Sequence, residues 1–237
     1  MKHLLTSLLL VASTTRASLV EYPCDNHGIG HLTPFFKGVT YEERYRKLLE
    51  SRLGLTPFDC GREIVWPDLG PEICVAIFSR IQNRRRIHWV TLTVPGKSSF
   101  WQVTDGMNRK LLNEASKIPV LRSDAEISEI RANLIREAWS VMIRNAHPEN
   151  YNRPSPDGMR VIMGGNTDFY LQTPHGVQRA SFPALPECNS AAHVLLNLCN
   201  TLIAYCEAKP SERERLGKRA EAQAKLVVRK LSSKHTK

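Results

Sequence analysis

The chain has 237 residues with a formal net charge of +10, and this length suffices for one sizeable hydrophobic core or two small ones. No apolar run approaches the roughly 20 residues that a membrane-spanning helix needs, and the sequence contains neither an internal repeat nor a low-complexity block. Length and composition therefore exclude a membrane-spanning bundle and a repeat array, and a soluble globular protein is the expected class.

Residues 1–17 have the composition of a secretory signal peptide. Lys2 and His3 precede a short apolar stretch, Leu4 to Ala12, which is followed by small polar residues and then by Arg16 and Ala17. We expect cleavage after Ala17, with Ala12 as an earlier alternative, and an exported product that is either periplasmic or extracellular. Cleavage after Ala17 removes two cations and no acid, so the net charge falls from +10 to +8.

All six cysteines follow this segment, and an even number in an exported chain predicts up to three disulfides. The candidates are Cys24, Cys60, Cys74, Cys188, Cys199 and Cys206. On a predicted helix Cys199 and Cys206 lie roughly 10 Å apart, which is too far for a direct bridge, so each needs a partner on another element. The alternative is that both are small buried core thiols.

The first half of the chain predicts one helix and a set of strands. After an irregular stretch at 18–39, Thr40 and Glu43 form a capping-box pattern, and Gly54 ends the helix that they begin. The predicted order is a helix, a loop and three strands, at Tyr41–Leu53, 55–72, Ile73–Ile81, Ile87–Val94 and Phe100–Val103.

The second half predicts two long helices around a meander. Ser123 and Glu126 form a capping box for the first of them, and Ser190 caps a helix that reaches Cys206. The helix and the three strands before Ser190 are predicted at Asp124–Asn145, Met159–Gly164, Thr167–Thr173 and Val177–Phe182. The apolar face of the first helix is predicted to be Ile127, Ile130, Leu134, Ala138 and Val141. This order predicts an α+β fold, with a mixed or antiparallel sheet packed by two or three helices and a basic C-terminal helical tail.

Residues 210–237 hold nine Lys or Arg against three Glu, which is +6 of the expected +8. Their apolar stripe is narrow and consists of Leu216, Ala220, Ala224, Val227 and Leu231. We therefore expect a signal peptide at 1–17, a single α+β domain at 18–209, and a basic helical or disordered tail at 210–237 that is separable from the core.

The charge of the tail predicts an anionic partner, namely a lipid surface, an envelope polymer or a nucleic acid. The expected contact residues are Lys218, Arg219, Lys225, Arg229 and Lys230. Two alternatives remain open: the charges only aid solubility, or the apolar stripe docks on a partner or on the domain itself. The sequence predicts no oligomeric state.

No motif identifies a reaction or a cofactor. Cys24, His27 and His31 have the spacing of zinc donors but lack a fourth ligand, so an oxidised Cys24 is the preferred interpretation. Four histidines are candidate bases, but no nucleophile elbow or His-Glu-x-x-His helix accompanies His88, His147, His175 or His193.

The expected function is that of a non-enzymatic, exported binding or accessory module without metal or cofactor. The alternative is a secreted hydrolase that acts on envelope or extracellular material with a site built from dispersed residues. A deep pocket that unites His88, His147 or His175 with a carboxylate would favour the hydrolase. A flat surface with unclustered histidines would favour the binding module.

Overall fold

The computed structural model describes residues 33–34, 47–54, 61–66, 72–96, 100, 117–146, 166–182 and 189–232. Within these ranges the strands are β1 (Thr33–Pro34), β2 (Gly61–Trp66), β3 (Ile73–Gln82), β4 (Arg85–Pro95), β5 (Val120–Ile127), β6 (Asn166–Thr173) and β7 (Gly176–Phe182). The helices are α1 (Glu129–Arg144), α2 (Ala191–Glu207) and α3 (Pro210–Ser232), and residues 47–52 are also helical. The predicted α+β class is confirmed.

The strands form one antiparallel sheet in the order β1-β7-β6-β2-β3-β4-β5. Two hairpins, β3–β4 and β6–β7, are joined by β2, which pairs with one strand of each. The β3–β4 turn has positive φ at both Asn83 and Arg84, the geometry of a tight two-residue hairpin. Gly61 pairs with Ile77, so both hairpins extend beyond the paired part of β2.

Strand β3 has buried residues on both faces of the sheet, since successive side chains of a strand point to opposite sides. On β3, Val75 and Ile77 belong to the large core that also contains the helices. The preceding residue of the strand, Cys74, points to the other face and belongs to a smaller cluster with Leu49 and Phe100. Burial on both faces explains why β3 is a continuous apolar run in the sequence.

Two elements depart from the sequence prediction because strand pairing overrides local patterns. The predicted loop at 55–72 contains β2. The capping-box pattern at Ser123 lies inside β5, which pairs with β4 along its length. In β5 the buried Ala125 and Ile127 alternate with exposed neighbours. Helix α1 begins later, after its N-cap Ser128.

The apolar face predicted for the first long helix is only partly right: Ala138 is buried on α1, and Ile127 is buried but belongs to β5. Ile130 is 72% exposed, and Leu134 and Val141 are only partly buried. The residues of α1 that enter the core are Ala132, Ile135, Ala138, Trp139, Met142 and Ile143. Trp139 has the largest of these side chains; its ring is buried and packs edge-on against Phe169, with 5.9 Å between the ring centroids.

The hairpin at β6–β7 and the helix capped by Ser190 are confirmed, and the Ser190 hydroxyl accepts a hydrogen bond from the backbone of His193 at 3.1 Å. The predicted strand at Met159–Gly164 lies outside the described residues. So do residues 41–46 of the first predicted helix and residues 101–103 of the third predicted strand.

The three cysteines in the described part of the chain are buried, and no disulfide joins them there. Cys74 lies on the opposite face of the sheet from Cys199 and Cys206, so it cannot bridge to either. Cys206 is a core thiol that donates a hydrogen bond to the carbonyl of Val90 at 3.4 Å, and burial raises the pKa of this thiol to about 12. The other three candidates, Cys24, Cys60 and Cys188, lie outside the described residues, and their bridging stays a prediction.

Helix α3 is part of the core, which contradicts the expectation that the C-terminal tail is separable. Its apolar stripe is at most 8% exposed at every position and packs against α1 and α2; its residues are Leu216, Ala220, Ala224, Val227 and Leu231. The stripe is narrow, but its small residues let α3 lie close to the other two helices. The area of the stripe alone understates the contact, because α3 also covers apolar residues of α1 and α2.

Candidate functional site

The outward face of α3 carries a row of positive charge. Arg215, Lys218, Lys225 and Arg229 are all exposed, and with 3.6 residues per turn they fall within an arc of about 80°. The exposed Ala222 lies in the middle of the row. We call these four cations the cationic stripe. It lies opposite the buried stripe, so one helix presents a structural face and a charged face.

The charges of the cationic stripe are only partly balanced within the described residues. Lys218 Nζ lies 3.9 Å from Glu214 Oε1, and Lys225 Nζ lies 2.6 Å from Glu221 Oε1. In both pairs the partners are one helical turn apart and the lysine is exposed, and such pairs stabilise a helix only weakly. Arg215 and Arg229 form no ion pair with any residue that the structure describes. An anionic ligand therefore has two cations available directly and two more in weak pairs.

The two acids beside the cationic stripe are shared with the neighbouring helix. Arg131 of α1 donates two hydrogen bonds to the Glu214 carboxylate, at 2.9 and 2.8 Å, and its Nε lies 3.7 Å from Glu221. These hydrogen bonds lower the pKa of Glu214 below its usual value. Gly217 makes room for them, because a Cβ on this residue would lie only 2.7 Å from Arg131 Nη1. Part of the negative charge next to the cationic stripe is thus neutralised by α1.

The structure distributes the five predicted contact residues over two sides of α3. Lys218, Lys225 and Arg229 belong to the cationic stripe. Arg219 and Lys230 are partly buried on its flank. Arg215 was not among the predicted contact residues, although its position three residues before Lys218 has the helical spacing that places both on one face.

A second polar feature is an open cleft of about 340 Å³ on the face of the sheet that the helices cover. It lies where the two hairpins extend beyond β2, and α1 forms one of its walls. The strands and turns contribute Ser79, Arg86, His88, Gln172, Thr173 and Pro174, and α1 contributes Glu129, Asn133 and Arg136.

His88 is the most constrained side chain of this cleft. It lies directly across from Ser79 in the β3–β4 pair, and it is only 6% exposed. Neither ring nitrogen, Nδ1 or Nε2, has a hydrogen-bond partner in the described part of the protein. The cleft thus places His88 near the carboxylate of Glu129 and the hydroxyl of Ser79, but no hydrogen bond joins the imidazole to either group.

The other candidate histidines do not join His88 in the lining of this cleft. His175 is exposed in the β6–β7 turn, and His193 lies in the first turn of α2. His147 lies outside the described residues, as do the zinc-donor candidates Cys24, His27 and His31. Within the described ranges, no group of three or more His, Cys, Asp or Glu side chains is placed to hold a metal ion.

The chain matches no protein-family model, no curated protein and no solved structure. Among the described helices, none is both long enough and apolar enough to cross a membrane.

Proposed function

We propose that this protein is an exported module that binds a linear anionic polymer through the cationic stripe of α3. The observation that carries the proposal is the two-sided character of this helix. Its inner face is buried in the core, while its outer face aligns four exposed cations without an acid among them. Because the inner face is packed, the polymer does not have to order the helix, and binding avoids that entropic cost.

The shape of the cationic stripe favours an extended ligand. Arg215 and Arg229 are 14 positions apart, so at 1.5 Å per residue the row is roughly 21 Å long. A chain of phosphates, sulfates or carboxylates can lie along such a row and contact several cations in turn. Contacts of this kind depend on charge and not on sequence, and they release counterions when they form.

A direct test uses a variant in which Arg215, Lys218, Lys225 and Arg229 are all replaced by Gln, here called the stripe variant. Binding of a fluorescein-labelled single-stranded oligonucleotide and of labelled polyphosphate is measured by anisotropy at low salt. We expect the stripe variant to bind at least one probe more weakly than the natural protein by at least about tenfold at low salt. Binding to vesicles that contain anionic lipid is measured separately. If the protein binds these vesicles and neither polymer, the proposed ligand is a membrane surface and not a polymer.

The matched control removes four exposed cations elsewhere, with Arg84→Asn, Arg85→Gln, Lys117→Gln and Arg144→Gln, and so has the same net charge. Asn is chosen at position 84 because it tolerates the positive φ found there. The control should retain most of the affinity. Equal losses in the two variants would mean that only net charge matters and would contradict a defined surface.

Export is the other half of the proposal, and the composition of residues 1–17 supports it. The mass of the protein recovered from its native host should correspond to a chain that begins at or near Ser18. A product that retains residues 1–17 would remove this half of the proposal and leave the binding surface unaffected.

A hydrolase is the alternative function, and the grouping of Ser79, His88 and Glu129 in one cleft favours it. A serine nucleophile needs a base within about 2.6–3.2 Å, so the imidazole of His88 would first have to turn towards Ser79. Hydrolysis of small ester substrates that is lost in Ser79→Ala would support this alternative. Equal rates in the natural protein and Ser79→Ala would remove Ser79 as the nucleophile.

A further inference from the structure

We propose that the cleft lined by His88, Arg86 and Arg136 binds a small organic anion that carries a phosphate or carboxylate group. Arg86 comes from β4 and Arg136 from α1, and Glu129 is the single acid in the lining. The cleft therefore has an excess of positive charge. Guanidinium groups match the planar geometry of a carboxylate and the oxygens of a phosphate, which they bind through paired hydrogen bonds.

Helix α1 holds its cleft residues on one face. Glu129, Asn133 and Arg136 follow one another at intervals of four and three residues, so their side chains lie in a row along the helix. Arg136 Nη2 also donates a long hydrogen bond to the carbonyl of Gln172, at 3.4 Å. A guanidinium group has five N–H donors, so this contact positions Arg136 across the cleft and leaves other donors for a ligand.

His88 supplies the second, independent observation. A buried imidazole without hydrogen bonds is unfavourable, and native proteins leave few such groups without a ligand, ion or water. Both nitrogens of His88 are shielded from solvent, although the ring itself lines the cleft. A bound oxyanion would give one ring nitrogen an acceptor after the ring turns towards the cleft. Binding should therefore change the environment of this imidazole.

The size and polarity of the cleft define the class of ligand. Its volume of about 340 Å³ is near the lower end of the range for small-molecule sites. Hydroxyl and amide groups surround the two arginines, from Ser79, Asn133 and Thr173. A compact hydroxylated acid or a phosphate ester of similar size fits this lining better than an apolar molecule. The cleft is separate from the cationic stripe, so this inference does not depend on the polymer proposal.

The test measures binding of inorganic phosphate and of citrate by thermal shift, with sodium chloride at equal ionic strength as the reference. We expect saturable stabilisation by at least one of the two anions. Arg86→Gln and Arg136→Gln should each weaken that binding by about tenfold, which corresponds to the loss of a charged hydrogen bond. Arg144→Gln removes an exposed charge from the C-terminal end of α1, away from the cleft, and should leave the anion affinity unchanged.

Histidine-ring NMR signals distinguish a defined site from general screening of charge. The His88 resonances should shift with the same saturation curve as the thermal stabilisation, and those of His193 in α2 should stay in place. The proposal would be overturned if neither anion stabilised the protein more than chloride does. It would also be overturned if Arg144→Gln weakened binding as much as Arg136→Gln. An unchanged His88 signal at saturation would equally place the anion outside the cleft.

Discussion

Replacing Ala224 or Ala222 by Leu tests whether α3 is packed into the core, because the two alanines lie on opposite faces of one helix. Ala224 is 0% exposed and contacts the core, whereas Ala222 lies among the exposed residues of the outer face. Both substitutions add the same three carbon atoms, and both residues are good helix formers. Any difference between the variants therefore reports packing and not helix propensity.

The expected magnitude follows from this burial. Leu at position 224 has no free space, so it must displace side chains of α1 or α2, and overpacking of this kind costs about 1–3 kcal/mol. For a chain of this size, each kcal/mol lowers Tm by about 2–4 °C, so Ala224→Leu should lower it by roughly 2–12 °C. Ala222→Leu should change the free energy of unfolding by less than about 0.5 kcal/mol.

Urea unfolding followed by circular dichroism measures both variants against the natural protein. The midpoint should fall for Ala224→Leu at an unchanged slope, and it should stay in place for Ala222→Leu. Equal midpoints for the two variants would refute the packing of α3 and restore a separable tail.

Three further outcomes are expected. A chain that ends at Lys209 should unfold or aggregate, since it exposes the apolar faces of α1 and α2; an unchanged Tm would contradict this. Glu214→Gln should destabilise the natural protein, because it weakens the contact between Glu214 and Arg131. It should have no such effect in a protein that also carries Gly217→Ala, because the added Cβ already displaces Arg131. Equal effects of Glu214→Gln in both proteins would argue against the inter-helix contact. Burial raises the pKa of Cys206 from 9.0 to about 12, so its contribution to the free energy of unfolding should be complete below pH 9 and decline above it. In urea titrations up to pH 10.5, Cys206→Ala should flatten that decline.

Elements with strong local patterns were predictable from the sequence. The β3–β4 hairpin has two β-rich runs around a short polar turn, and α2 has Ser190 as an N-cap before an apolar run. At β5 two local patterns conflict: Ser123 and Glu126 resemble a capping box, while Ala125 and Ile127 alternate with polar residues. Only pairing with β4, which is distant in the sequence, decides between them.

The candidate sites were predictable only in part, because they depend on contacts between distant segments. Charge density alone identified α3 as the cationic element, and helical spacing identifies its outer face. The cleft around His88 has no such pattern, since α1 and the β6–β7 hairpin reach it from positions 40 or more residues further along the chain. His88 was recognised as a candidate, and Arg86 lies two residues before it on the same face of β4. Arg136 comes from α1, and no local pattern connects it to His88.

The salt dependence of polymer binding tests most directly whether the outer face of α3 is the recognition surface. Four cations that contact a single-stranded polymer should make the logarithm of the binding constant fall with the logarithm of salt concentration, with a slope of about −3. The slope should approach zero in the stripe variant and stay near −3 in the control with the same net charge. A slope that is the same in all three proteins would contradict the account and place recognition elsewhere on the molecule.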